Sequence, residues 1–118
     1  MKAKSLAWGG VKTERYDEMK RFLAETIGLE QQKEEKGMAV FTFPNGDTFE
    51  VFGPDDDEHG FFTTGPVMEF AVDDVEAARA ELEASDLELL SPVRSEGGFV
   101  WFHFRGPDGN VYGLTQLS

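Results

Sequence analysis

The stretches Phe43–Phe52, FPNGDTFEVF, and Gly106–Thr115, GPDGNVYGLT, decide how this chain is read. Each carries a Pro-x-Gly turn, Pro44-Asn45-Gly46-Asp47 in one and Pro107-Asp108-Gly109-Asn110 in the other, and each continues into a short alternating strand. Proline presets φ at one corner, and Asn-Gly or Asp-Gly accepts the positive φ of a tight hairpin turn. One position breaks the likeness: Glu50 of the first copy is matched by Gly113 in the second. The turn is repeated while the one residue able to do chemistry is erased.

Outward from the turns, the likeness extends over both halves. Tyr16, Met19 and Leu23 recur at helical spacing, and Val75, Ala78 and Leu82 do the same 59 residues further on. An alternating strand precedes each helix, through Ala7, Gly9 and Val11 in one half and Met68, Phe70 and Val72 in the other. GMAVFTF and GFVWFHF then lead into the two turns, and LEQQKEEKG and LELLSPVRSEGG supply a weaker strand in each half. Each half therefore reads strand, helix, three strands. Between them GPDDDEHGFFTTGP, residues 53–66, is rich in Gly, Pro and acids and reads as a linker.

A chain of 118 residues and 13.2 kDa is one domain by length, so the two halves must share it. Its formal charge of −12 repels phosphate backbones and excludes nucleic acid as the expected partner. The absence of cysteine removes disulfides, thiolate nucleophiles and the usual structural zinc. The N-terminus lacks the apolar run of a signal peptide, and no stretch approaches the roughly 20 apolar residues of a membrane span, so a cytoplasmic protein is expected. Eleven Phe, two Trp and two Tyr must fill a core or a ligand cavity.

Two βαβββ modules, VDDVEAARAEL opening the second helix, and GPDGNVYGLTQ near the C-terminus make the chain similar to the vicinal oxygen chelate superfamily. That superfamily holds glyoxalase I, extradiol dioxygenases and the fosfomycin and bleomycin resistance proteins. The resemblance implies an α+β fold, a single domain over residues 1–118 with module one at 1–60 and module two at 61–118. It further implies that the mixed sheets curl into a cup with the helices outside. Metal-dependent members hold a divalent ion with residues from the first and last strand of each module. The first-strand position, usually His, falls here on Trp8 and Val67; the last-strand position, usually Glu, falls on Glu50 and Gly113. Only Glu50 offers a suitable ligand, and a catalytic zinc site usually keeps three protein ligands. Hence no metal, no cofactor and no catalytic residue are assigned, and the second module loses its glutamate because it has no ion to hold.

Strand alternation then names the candidate ligand contacts, Trp8, Glu50, Phe52, Glu69, Trp101 and His103, with Phe102 and Phe104 turned to the helix. Two indoles, a phenyl ring, two carboxylates and an imidazole suit a flat, aromatic or cationic guest. Plainer readings stand beside these. The tryptophans could plug a collapsed cavity, Glu50 and Glu69 could pair with Lys12 and Arg105 or act as an acid and base, and His103 could be a satisfied strand histidine. His59 is expected to be solvated in the linker. DDDEHG is not a calcium loop, because His59 stands where a carboxylate is needed and Pro66 where the closing Glu belongs. Neither a Gly-rich phosphate loop nor a Gly-x-Ser-x-Gly elbow is present.

The expected function is metal-independent binding of a small organic ligand, similar to the bleomycin resistance proteins. The alternative is a metal-dependent lyase or dioxygenase built around Glu50, and a third reading is a structural or regulatory partner whose cup is self-filled. A homodimer is expected, since the modules leave sheet edges to cover, with Phe61 and Phe62 as exposed contacts. No membrane partner is expected.

Overall fold

A computed structural model describes residues 1–117, in two compact units. One comprises Trp8–Pro66, and the other joins Met1–Ala7 to Val67 and the residues that follow it.

In the Trp8–Pro66 unit, β1 (Ser5–Lys12), which begins in the other unit, leads to α1 (Tyr16–Arg21) and a π-helical turn, Phe22–Ile27. The helix ends at Gly28, whose φ of 85° suits a left-handed cap. Then come β2 (Glu30–Glu35), β3 (Met38–Thr42) and β4 (Thr48–Phe52), in the order β2-β3-β4-β1. β1 and β4 are parallel, with Gly10 opposite Glu50, while β2/β3 and β3/β4 are antiparallel. The helical face read from the sequence packs as expected: Leu23 is buried with Ala39, Phe41 and Val51, and Tyr16 and Met19 lie against them. β2 is exposed along its whole length, as its charged sequence dictates.

The second unit repeats this plan with β5 (Val67–Ala71), α2 (Val75–Ala84), β6 (Arg94–Glu96), β7 (Phe99–Arg105) and β8 (Val111–Leu117), in the order β5-β8-β7-β6. β5 and β8 are parallel, β7 and β8 antiparallel. Val75, Ala78 and Leu82 of α2 pack on Phe102, Phe104 and Leu114, so both phenylalanines do face the helix. Arg79 fastens α2 further, donating to the Ser91 carbonyl at 2.8 Å with its guanidinium 5.0 Å from the Phe102 ring centre. The weak strand expected in LELLSPVRSEGG is broken in two. Leu89 bridges Phe104, Pro92, which has no N–H to give a ladder, interrupts, and pairing resumes at Arg94. The N-terminal residues belong here too, with the Lys4 N–H donating to the Ala71 carbonyl at 2.9 Å.

The fold is thus α+β, built of two βαβββ modules with mixed strand pairing, and the duplicated turns show the repeat atom by atom. The Phe43 N–H donates to the Asp47 carbonyl at 2.9 Å, and the Gly106 N–H to that of Asn110 at 2.8 Å. Asn45 Oδ1 accepts the Asp47 N–H and Asp108 Oδ1 accepts the Asn110 N–H, both at 3.0 Å. Gly46 and Gly109 take φ values of 92° and 86°, the positive region for which each turn carries its glycine. Among the described residues no helix is long and apolar enough to cross a membrane.

The start of α2 offers a test of this local chemistry. Asp74 caps the helix, accepting the Ala77 N–H at 3.0 Å. Asp74→Ala should lower the unfolding free energy by about 1 kcal/mol, read from the urea midpoint at unchanged slope.

Candidate functional site

On the sheet face turned away from its helix, each unit gathers polar and aromatic side chains around one glutamate. In the second unit this is Glu69, buried with His103, Thr115 and Ser91. Cross-strand register explains the grouping. Glu69 on β5 and His103 on β7 both lie opposite Gly113 on β8. Glu69 Oε2 and His103 Nε2 meet at 2.7 Å, the Thr115 hydroxyl donates to Glu69 Oε1 at 2.5 Å, and the Ser91 hydroxyl accepts the His103 backbone N–H at 2.9 Å. A Cβ on Gly113 would stand 2.6 Å from Glu69 Cγ and 3.0 Å from His103 Cδ2. The glycine is therefore the floor on which this pair meets.

The first unit uses the same two residue types on exchanged strands. Its glutamate, Glu50, is on the last strand and its glycine, Gly10, on the first; the second unit has Glu69 on the first strand and Gly113 on the last. Trp8 lies over Gly10, where a Cβ would come within 2.2 Å of the indole. Its Nε1–H donates to Glu50 Oε1 at 2.9 Å. The two positions that would carry metal ligands in this module are thus tied to each other by a hydrogen bond.

Around Trp8 the rings continue. Phe52 and Phe62 each lie 6.2 Å from it between ring centres, and His59 stacks on Phe52 at 3.9 Å with the planes 22° apart. His59 Nδ1 meets Asp56 Oδ1 at 2.9 Å, and the Lys12 ammonium donates to Asp56 Oδ2 at 2.9 Å. Burial alone would raise the Asp56 carboxyl. The hydrogen bonds from His59 and Lys12 outweigh it and hold the group below its ordinary value.

Several expectations are corrected here. Lys12 pairs with Asp56, and Arg105 with Glu88. His59 is stacked on a ring rather than solvated, and Phe62 is only 4% exposed, so it packs inward instead of offering an apolar contact. Trp8 and Trp101 are half-buried. The sequence reading missed Ser91, Asp56 and Phe62 as partners, and it placed Thr115 on the same strand face as Gly113 without naming it as a partner of Glu69. For the second unit a signal did exist, since Glu69 matches Gly10 at an offset of 59 and Gly113 matches Glu50 at 63.

The family's ligand positions do not fit a divalent ion. An indole N–H only donates, and Trp8 already directs it at Glu50. Val67 is fully buried and apolar, and the space above Gly113 belongs to Glu69 and His103. Among the described residues no three His, Cys, Asp or Glu side chains are grouped to hold a metal.

Residues 6–113 match the Glyoxalase/Bleomycin resistance protein/Dioxygenase superfamily, and the chain belongs to that family. A superfamily member from Vibrio splendidus 12B01 shares the fold at TM-score 0.72 and 16% identity, over 95% of this chain and 99% of its own. Methylmalonyl-CoA epimerase from Mycobacterium tuberculosis does so at TM-score 0.74 and 16% identity, over 98% of this chain and 89% of the epimerase. The Mn(II)-bound glyoxalase from Novosphingobium aromaticivorans reaches TM-score 0.73 at 23% identity, over 97% of this chain and 39% of that one. At such identities the likeness is one of fold. No curated protein sequence matches the chain.

Two outcomes follow from the geometry. Gly113→Ala should cost about 1–3 kcal/mol, the usual range for overpacking, and much less in a Glu69→Ala background. A double-mutant cycle by chemical denaturation measures the difference, and additive costs would contradict the shared space. Asp56, held below its ordinary value in the folded state, stabilises the fold above that value, and the contribution disappears as pH falls through the folded one. Stability should therefore decline below about pH 4 less steeply in Asp56→Asn than in the parent.

Proposed function

We propose that this glyoxalase-family chain binds a small aromatic or cationic organic molecule without a divalent metal, as a cytoplasmic homodimer. The proposed contacts are Trp8, Glu50 and Phe52 in one unit and Glu69, Trp101 and His103 in the other, each set to be tested by itself. The observation that carries the reading is the half-buried Trp8, its indole fixed by Glu50 and flanked by Phe52. A ring held in place by a hydrogen bond loses little freedom when a second ring stacks on it. Glu50 adds negative charge beside that ring, and the chain as a whole carries −12. Both favour a cation over an anion.

Stacking contributes about 0.5–1.5 kcal/mol per ring pair beyond area burial, and a desolvated cation over a ring up to about 2 kcal/mol. Two such contacts suffice for micromolar binding when the guest also buries apolar surface. The metal-dependent alternative would need ligands other than Trp8, Val67 and Gly113.

N-methylquinolinium, a planar cation, should bind EDTA-dialysed protein in calorimetry. Trp8→Ala should weaken binding at the first unit's contacts more than tenfold and Glu50→Gln less, and Trp101→Ala should weaken binding at the second unit's contacts more than tenfold. Naphthalene-2-sulfonate, planar and anionic, should bind at least tenfold more weakly than the cation. Preference for the anion, indifference to both tryptophan substitutions, or about one divalent ion per chain by elemental analysis would each sink the reading.

A further inference from the structure

Residues 53–66 connect β4 to β5 without helix or strand, yet the first part of this segment is held at definite points. The Lys12 ammonium donates to the Gly53 carbonyl at 3.1 Å, to the Asp56 carbonyl at 2.9 Å and to Asp56 Oδ2 at 2.9 Å. Asp56 in turn accepts the His59 backbone N–H at 3.0 Å and holds the His59 ring, which lies flat on Phe52. These contacts deliver Phe62. Its ring centre lies 5.0 Å from His59, 5.9 Å from Phe52 and 6.2 Å from Trp8. The Phe62 N–H donates to the His59 carbonyl at 3.0 Å, which ties the ring's own backbone to the anchor. Gly60 and Gly65 bracket Phe61–Thr64, and at neither would a Cβ find a heavy atom within 4 Å.

We propose that this segment is a latch, in which Phe62 takes the place of a guest against Trp8 and Phe52, and from which a ligand gains the Trp8 ring by displacing Phe62. The proposal rests on the reading of Trp8 and Phe52 as ligand contacts. Its physical basis is that one ring can replace another at this wall. An aromatic wall left bare would be wetted, whereas a ring supplied by the chain keeps it dry until a guest offers an equivalent surface. The two arrangements then bury similar apolar area, so a ligand needs only a modest preference for the open one to shift the balance. Lys12 and Asp56 set that balance from outside the wall, through the His59 ring stacked on Phe52. They bind the root of the segment, and weakening them loosens the hold on Phe62 while the Trp8 hydrogen bond to Glu50 stays in place.

The test separates the latch from the ligand reading. In a Trp101→Phe background, Trp8 is the remaining tryptophan, and acrylamide quenching reports its cover with no ligand present. Asp56→Ala and Lys12→Met should each raise the quenching constant at least twofold towards that of Phe62→Ala, in proteins whose far-UV circular dichroism matches the parent. N-methylquinolinium, measured by calorimetry with Trp101 restored, should bind both anchor variants at least fivefold more tightly. Quenching that stays at the parent value in both anchor variants overturns the latch, whatever the ligand does. Raised quenching with no binding of N-methylquinolinium to any variant supports the cover over Trp8 and overturns the proposed ligand instead.

Discussion

A carboxylate withdrawn from water has to be met by donors, and the face of each sheet opposite its helix is organised around that requirement. Glu69 is met by the His103 ring and the Thr115 hydroxyl, and Glu69 and His103 come together over residue 113 because it has no side chain. Glu50 is met by the Trp8 indole, which reaches it by lying over Gly10. In each unit a glutamate and a glycine face each other across a parallel strand pair, with the strands exchanged. The glycine supplies space and the glutamate fills a donor's need for an acceptor. Changing either alone leaves a clash or an unpaired group.

This constraint also explains why the two halves agree on one face and diverge on the other. Against the helices both modules bury similar apolar shapes, Phe41 and Val51 with Leu23 in one, Phe102 and Leu114 with Leu82 in the other. Each fully buried large apolar side chain stabilises by about 1.5–3 kcal/mol, so this face holds the fold together and carries the repeat. The opposite face buries apolar side chains too, Val40, Phe52 and Phe62 in one unit and Val67 in the other, but mixes them with polar groups. There Val40 stands in the first unit where His103 stands in the second, and Trp8 where Val67 stands. The fold tolerates these differences as long as each polar group finds its partner.

Membership of the glyoxalase family consequently says more about architecture than about chemistry. A Mn(II)-bound glyoxalase and a methylmalonyl-CoA epimerase share the fold at identities of 23% and 16%, and neither likeness specifies which side chains occupy the ligand positions here. What those positions do in this chain is set by neighbours: Trp8 by Glu50, and Gly113 by the pair packed above it.

The amino-acid sequence by itself determined the duplicated βαβββ plan, the helix faces through Leu23 and Leu82, the two glycine turns and the direction of Phe102 and Phe104. All of these rest on short-range periodicity or on turn residues whose preferences act locally. The interruption at Pro92 was not among them: the sequence read as one weak strand there, although proline's missing N–H was a signal for the break. Partnerships among polar side chains were not legible in the same way. Lys12 read as a partner for Glu50 and not for Asp56, and His103 read both as a ligand contact and as a satisfied strand residue. Only the tertiary structure brought residues 69, 103 and 115 to one point, stacked His59 on Phe52 and buried Phe62 beside Trp8. A hydrogen bond or ring contact between residues tens of positions apart depends on strand register and loop path, and these are decided by the packing of the whole chain.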